Sequence, residues 1–210
     1  MSAGNFFRTS AFALTALLLV SCESPNSPHP EAAPPDAAKP ATAVPTGPVT
    51  GRTAYWEMYK MARQWAPDLV PLSLASKPVP GHKIEGGKAM AWAASFGSVA
   101  KKEVRGFTYS VIAAEGIVKG VEAERAMAWA GPQRDAMPFR IAEVAFDSDA
   151  AFQTAAKKGE AWLKDHPKED VSITLGSAAR FNGPVWYLLW GNKKAGYQAW
   201  VSAINGELQK

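Results

Sequence analysis

The folded part of the chain offers few side chains that could perform acid–base chemistry. Residues 51–210 contain two histidines, His82 and His166, and no cysteine. A hydrolase needs a nucleophile, a general base and a group that orients the base, so each histidine is a candidate base for a serine. His82 lies in a predicted turn, and His166 lies where a predicted helix ends. These positions favour structural roles for both histidines and a protein without catalytic residues.

The spacing of acidic residues and histidines does not match a known metal or phosphate site. The sequence has no HxxxH or HExxH pattern and no acidic loop with the spacing of a calcium site. Asp147-Ser148-Asp149 could hold a cation, but its place before a helical pattern favours capping of that helix. Gly86-Gly87-Lys88 lacks the first glycine of a phosphate-binding loop. We therefore expect no metal and no other cofactor.

The single cysteine, Cys22, follows a segment typical of exported proteins. The apolar run from Ala11 to Val20 is shorter than the roughly 20 residues that span a bilayer, and it has the length of a signal-peptide core. The run ends in Leu19-Val20-Ser21-Cys22, which resembles the lipobox of bacterial lipoproteins. That resemblance implies a lipoprotein signal peptide at 1–21 and attachment of lipid, such as palmitate, at Cys22. An ordinary secretory signal with an incidental cysteine is the alternative.

Residues 22–50 form the predicted lipid anchor and a linker rich in proline and alanine. The linker has almost no large apolar residue, so it cannot bury enough surface to offset its chain entropy. We expect a stalk that tethers the folded part to a membrane of the cell envelope, on the periplasmic face or the cell surface. Glu23 follows the cysteine where, in the lipoprotein pattern, an aspartate would favour the inner membrane. The outer membrane is therefore preferred.

The charge of the folded part argues against nucleic acid as a partner. Arg8, Lys39 and three acidic residues precede residue 51, so residues 51–210 carry a net charge of +5. The basic residues are scattered and form no stripe with interleaved aromatic residues, as a nucleic-acid surface would.

A pattern typical of a β-hairpin occurs twice in the folded part. Each copy contains a tryptophan strand, a glycine-containing turn with a lysine pair, and a second strand that begins with glycine and an aromatic residue. The first copy contains Trp92, Phe96-Gly97-Ser98, Lys101-Lys102 and Gly106-Phe107, and the second contains Trp186, Trp190-Gly191-Asn192, Lys193-Lys194 and Gly196-Tyr197.

The elements before each hairpin also correspond. Apolar residues recur at helical spacing over 54–65 and over 151–163, and an alternating strand pattern follows at 69–74 and at 171–175. We therefore predict an α+β fold of two helix-plus-antiparallel-sheet units related by internal duplication. The first unit covers 51–120, a connector covers 121–147 and the second unit covers 148–210. Whether the units form one domain or two, and the oligomeric state, stay open.

The second unit resembles the PepSY domain, and the first does so more loosely. The resemblance lies in Pro184-Val185-Trp186-Tyr187 and in the strand from Tyr197 that ends at Gly206-Glu207. Where the family commonly has an aspartate and a threonine before the glycine, this chain has Ser202 and Asn205. The resemblance implies a non-catalytic regulatory or inhibitory module of the cell envelope that binds a peptide or protein partner.

The tryptophans are the remaining candidates for a functional surface. Trp186, Trp190 and Trp200 are possible partner-binding residues, because exposed aromatic side chains anchor peptides or stack on sugars. Trp186 and Leu188 share one face of their strand, while Tyr187 and Leu189 share the other. Both faces are therefore apolar, and burial of the tryptophans is favoured over binding. A small envelope hydrolase and a glycan- or peptidoglycan-binding module are the alternative functions.

Overall fold

The computed structural model of the protein describes residues 45–210. The predicted signal peptide, Cys22 and the linker as far as residue 44 lie outside the described residues. Within 45–210, no helix has the length and apolar character needed to cross a membrane. The helices are α1 (Gly51–Trp65), α2 (Ser148–Lys158) and α3 (Glu160–Asp165), with a 3-10 turn at Ile141–Glu143. The strands are β1 (Val70–Lys77), β2 (Ala91–Ser98), β3 (Glu103–Ser110), β4 (Gly120–Ala123), β5 (Met127–Ala128), β6 (Val171–Gly176), β7 (Val185–Trp190), β8 (Tyr197–Ser202) and β9 (Leu208–Gln209).

The two predicted helices are present, and the second is interrupted. Helix α1 begins after Thr50, whose hydroxyl accepts a hydrogen bond from the backbone N–H of Thr53. The predicted helix over 151–163 is divided into α2 and α3 at Gly159. The ring of Tyr197 packs on Gly159 so closely that a side chain there would collide with it. The Tyr197 hydroxyl also donates a hydrogen bond to the carbonyl oxygen of Ala155, at 3.0 Å.

All nine strands belong to one antiparallel sheet. Its order is β4-β3-β2-β1-β6-β7-β8-β9, and β5 pairs with β3 beyond the end of β4. The predicted hairpins are β2–β3 and β7–β8. The two units are joined because Ser73, Leu74 and Ala75 of β1 pair with residues 174–176 of β6. The α+β class is therefore confirmed, and both units contribute to a single sheet.

Trp92 and Trp186 hold corresponding positions in the two units. Each lies near the start of its unit's second strand, and each is fully buried. The indole N–H of Trp92 donates to the carbonyl oxygen of Val49 at 3.0 Å, and that of Trp186 donates to Phe146 at 2.9 Å. Both acceptors are the residue just before a helix N-cap. The rings meet edge to face with their centroids 6.3 Å apart. Internal duplication, as the origin of this correspondence, stays a prediction.

The first turns of α1 and α2 meet and cap each other. Asp147 is the N-cap of α2, as predicted, and its carboxylate also accepts a hydrogen bond from the backbone N–H of Arg52, at 2.9 Å. The buried Ser148 hydroxyl accepts a hydrogen bond from the N–H of Gly51 and donates one to the carbonyl oxygen of Gly87. Free N–H groups at a helix start need such partners. The two units are thus tied together at their helix starts as well as through the sheet.

The connector crosses from one edge of the sheet back to the second unit. It contributes β4 and β5 at the β3 edge, which the sequence did not predict. Further along, the N–H of Met137 bonds to the carbonyl oxygen of Ser177, and that of Phe139 bonds to Pro71, at the ends of β6 and β1. The chain then passes through the 3-10 turn and enters α2.

Candidate functional site

The helices cover one face of the sheet and leave the other face free of helices. Leu74, Phe96, Phe107, Trp186 and Leu188 lie on the helix-covered side and are buried. The opposite face, here called the open face, carries the alternate residues of each strand. Strand pairing places one row across its middle, composed in order of Thr108, Ala93, Ala75, Thr174, Tyr187 and Trp200. Side chains along this row are small from Thr108 to Thr174 and large at Tyr187 and Trp200.

In the first unit, the connector occupies much of the open face. The indole of Trp129 lies over Gly97, where a Cβ atom would come within 2.8 Å of the ring. The carboxylate of Glu124 lies directly over Gly106, where a Cβ atom would displace it. At Gly97 a larger residue would force the Trp129 ring to shift, because that ring approaches the backbone closely. The accessible aromatic surface of the open face is therefore in the second unit.

An aromatic cluster made of Phe181, Tyr187 and Trp200, together with Arg180, occupies that second half. The rings of Tyr187 and Trp200 are neighbours across β7 and β8, with centroids 5.1 Å apart and planes inclined by 33°. The Arg180 guanidinium lies 4.5 Å from the centre of the Phe181 ring and 5.4 Å from that of Trp200. All three rings are half-buried, so each presents part of its surface to solvent.

The aromatic cluster has two polar groups, the Tyr187 hydroxyl and the Arg180 guanidinium. The Tyr187 hydroxyl donates a hydrogen bond to Gln198 Oε1 at 3.0 Å, and burial raises the pKa of Tyr187, so the phenol is neutral at pH 7. The three ion pairs found within residues 45–210 do not involve Arg180. The cation–π contacts therefore hold the guanidinium in place while its N–H groups stay available to an acceptor.

A small pocket opens between the aromatic cluster and the connector. It is lined by Phe181, Tyr187 and Trp200, by the end of β6, and by Asp135 of the connector. Its volume is about 140 Å³. Pockets that enclose a cofactor or a drug-sized molecule usually measure about 300–1,000 Å³. The pocket therefore suits one side chain of a larger partner better than a whole cofactor.

Only one of the three candidate tryptophans lies at this surface. Trp186 is 0% exposed and Trp190 is 4% exposed, because both face the helices, so neither can contact a partner. They belong to the core, which corrects their assignment as possible binding residues. Trp200 lies on the opposite face, within the aromatic cluster. Alternation along the strands could have pointed to Tyr187, whereas Phe181 and Arg180 lie in the loop before β7 and gave no sequence signal.

The two histidines lie apart from the aromatic cluster. His82 lies in the predicted turn and lines a cleft of about 650 Å³ with Lys83 and Asp170. Asp170 bonds to Lys83 at 2.8 Å, whereas the hydrogen bond that His82 makes within residues 45–210 runs from its backbone N–H to the carbonyl oxygen of Val79. His166 ends α3 and stacks on Trp162, with its Nδ1 2.9 Å from the Trp162 carbonyl oxygen. Neither arrangement provides the nucleophile–base hydrogen bond of a hydrolase.

The acidic residues before α2 are engaged in capping. Asp147 accepts from two backbone N–H groups, and Asp149 accepts from the N–H of Ala150. Across the described residues, no group of three or more His, Cys, Asp or Glu side chains is placed to hold a metal ion.

Comparison with known proteins yields a likeness of fold. No family model matches the sequence, and no curated protein matches it. The structure is similar to the crystal structure of a "putative lipoprotein" from Clostridium difficile 630, with a TM-score of 0.50 and 10% sequence identity. The match covers 75% of this chain and 90% of that chain. At such low identity the likeness concerns the fold alone.

Proposed function

We propose that the chain is an exported lipoprotein, anchored through Cys22, that binds a peptide or protein partner non-covalently at the aromatic cluster. The observation that carries the binding proposal is the half-buried pair of Tyr187 and Trp200 beside Arg180. Aromatic residues and arginine are the side chains that most often dominate binding energy at protein interfaces. The helix-free sheet face presents them on paired strands, which hold them in fixed positions.

The resemblance to PepSY domains supports the choice of a peptide or protein as the partner. The resemblance implies a regulatory or inhibitory module. It is carried by β7 and β8, the strands that bear Tyr187 and Trp200. The small pocket supports the same choice, because it would accept a single side chain of an extended segment. Fold does not determine function, so this support is one of analogy.

The binding proposal is tested by crosslinking and pull-down from cell envelopes with the lipidated protein as bait. Trp200→Ala is expected to reduce capture of a specific protein at least tenfold, since loss of an anchor costs about 2 kcal/mol or more. Trp56→Ala is the matched control, because Trp56 is 42% exposed and lies on α1, on the other side of the sheet. Equal capture by wild type and Trp200→Ala would contradict the proposal.

Two alternative functions predict different outcomes in the same samples. A glycan-binding module would be retained on purified peptidoglycan, and Trp200→Ala would release it. A hydrolase would release fragments from peptidoglycan or envelope peptides, and His82→Ala would abolish that release. Retention on peptidoglycan without any protein partner would overturn the peptide-or-protein proposal.

The lipid anchor is proposed from the lipobox resemblance, and the likeness to a protein described as a putative lipoprotein supports it. Metabolic labelling with a clickable fatty acid should label the wild-type chain and leave Cys22→Ala unlabelled. Label that persists in Cys22→Ala would contradict anchoring at this residue. Separation of inner and outer membranes on a density gradient then tests the preference for the outer membrane that follows from Glu23.

A further inference from the structure

We propose that the pocket beside the aromatic cluster binds a basic side chain of the partner, lysine or arginine, with Asp135 as its counter-ion. This inference rests on the proposed function, because it names the chemistry that the partner presents at the same site. It commits to one occupant, a single lysine or arginine of a peptide or protein.

The pocket has one charged group in its lining, and that group is negative. Among the described residues that line the pocket, Asp135 alone carries a charge, and the others are aromatic, aliphatic or small. Arg180 is not one of the lining residues. The three ion pairs found within residues 45–210 do not involve Asp135. A cation in the pocket would therefore give this carboxylate the partner that it lacks within the described chain.

Backbone hydrogen bonds on both sides of Asp135 hold the connector beside the loop that follows β6. The N–H of Ala179 donates to the carbonyl oxygen of Arg134 at 2.8 Å, and the N–H of Met137 donates to that of Ser177 at 2.9 Å. The loop then continues into the aromatic cluster. The backbone that bears the carboxylate and the backbone that bears the rings are thus fixed relative to each other, as a selective site requires.

Arg180 shows that the rings of the aromatic cluster accept a cation. Its guanidinium lies 4.5 Å from the centre of the Phe181 ring and 5.4 Å from that of Trp200. Both distances are within the roughly 6 Å over which a cation is attracted to an aromatic face. Tyr187 and Trp200 also line the pocket. A second cation, placed there, would meet aromatic surface and a carboxylate at the same time.

The size and the lining of the pocket suit a long basic side chain. A cavity of about 150 Å³ holds a molecule of the size of benzene, and this pocket measures about 140 Å³. Lysine and arginine bury their apolar stems along apolar surface while their charged ends stay near polar groups or water. Val185, Tyr187 and Trp200 provide apolar surface for the stem, and Asp135 provides the acceptor for the charged end.

The charge of the whole molecule limits how basic the partner can be. Residues 51–210 carry a net positive charge, and the Arg180 guanidinium lies beside the same rings. A net positive field disfavours the approach of a strongly basic partner. We therefore expect one basic residue in the pocket, flanked by neutral or acidic residues, among which an acceptor binds Arg180.

The test compares four N-acetylated tripeptide amides that differ at the residue between two alanines: lysine, arginine, glutamine or leucine. Binding is measured on the full lipidated chain in detergent micelles by fluorine NMR, after incorporation of fluorotryptophan. The resonance of Trp200 is identified by its loss in Trp200→Phe, and it reports occupation of the pocket. The resonances of the buried Trp92 and Trp186 report whether each variant is folded.

We expect the lysine and arginine peptides to bind the wild type about tenfold more tightly than the glutamine peptide does, since a cation–π contact and an exposed ion pair act together. Asp135→Asn should weaken binding of the lysine peptide severalfold and leave that of the leucine peptide unchanged. Asp165→Asn is the matched control, because Asp165 is exposed at the end of α3, and it should have no effect. Equal binding of the lysine and glutamine peptides, or tightest binding of the leucine peptide, would overturn the inference.

Capture of the envelope partner separates this inference from the proposed function. If the pocket takes a basic residue of that partner, Asp135→Asn captures less of it than Asp165→Asn does. If Trp200→Ala abolishes capture while Asp135→Asn leaves capture unchanged and the peptides bind alike, the inference is wrong and the proposed function stands. Selective binding of the lysine and arginine peptides, with no protein captured by any form, would support the inference about the pocket and contradict the proposed function.

Discussion

Tyr55 carries a buried hydroxyl group that has no hydrogen-bond partner within residues 45–210. A buried unsatisfied polar group costs about 1–3 kcal/mol, and an apolar replacement of the same shape avoids that cost. We therefore expect Tyr55→Phe to raise the free energy of unfolding by about 1 kcal/mol, as measured by a denaturant melt. The neighbouring Tyr59 is half-buried, so Tyr59→Phe should leave stability nearly unchanged. A destabilised Tyr55→Phe would reveal a partner for the hydroxyl.

The same hydroxyl group makes stability depend on alkaline pH. Burial raises the pKa of Tyr55 well above its ordinary value, so the phenol ionises more readily in the unfolded chain, where its pKa is about 10. Below about pH 10 the phenol is neutral in both the folded and the unfolded chain, whereas above that pH the unfolded chain ionises first and the free energy of unfolding falls. Between pH 9 and 11, the Tyr55→Phe variant should lose less stability than wild type in parallel melts.

The starts of α1 and α2 depend on one serine. Ser148→Ala would leave the N–H of Gly51 and the carbonyl oxygen of Gly87 without their buried partner. Each such group costs about 1–3 kcal/mol, so we expect a loss of about 2–4 kcal/mol in the free energy of unfolding. Ser172→Ala, at an exposed position of β6, should change stability by less than about 0.5 kcal/mol. If Ser148→Ala lowers the free energy of unfolding by less than about 0.5 kcal/mol, water replaces the serine hydroxyl.

The tryptophans of β2 and β7 should contribute to stability to a similar extent. Trp92 and Trp186 are both fully buried, both bond to a helix start and contact each other. Replacing either with alanine should cost about 3–5 kcal/mol, as loss of a buried aromatic side chain does. In a double-mutant cycle the two changes should be non-additive, because the rings are in contact. Additive costs would mean that the units stabilise themselves independently.

The two units should need each other to fold. In the whole molecule, β1 pairs with β6, Trp92 packs on Trp186, and Ser148 binds the start of α1. Residues 145–210 alone would lack all three contacts. A unit of about 60 residues also buries only about 60% of the surface that its unfolded chain exposes. We expect residues 45–210 to unfold cooperatively in denaturant and residues 145–210 to show a far lower midpoint or no transition. Equal midpoints would contradict mutual dependence.

Local patterns determined much of the fold. Apolar spacing placed α1, glycine-containing turns placed the hairpins β2–β3 and β7–β8, and Asp147 marked the start of α2, because each of these signals depends on neighbours along the chain. The repeated pattern also paired Trp92 with Trp186. Strands β4, β5 and β9 were missed, since four residues or fewer provide little periodicity, and the packing of the Tyr197 ring on Gly159 joins residues that are distant along the chain.

The sequence by itself determined the α+β class and the apolar character of both faces of β7, whereas the two duplicated units and the absence of a catalytic histidine stay predictions. It left open which face is buried, because alternation divides a strand into two faces without assigning either to the core. Packing of both helices on one side of a shared sheet decided that Trp186 and Trp190 are core residues and that Trp200 is accessible. The aromatic cluster then arises because strand pairing and a loop bring Phe181, Tyr187 and Trp200 together, a proximity that exists only in three dimensions.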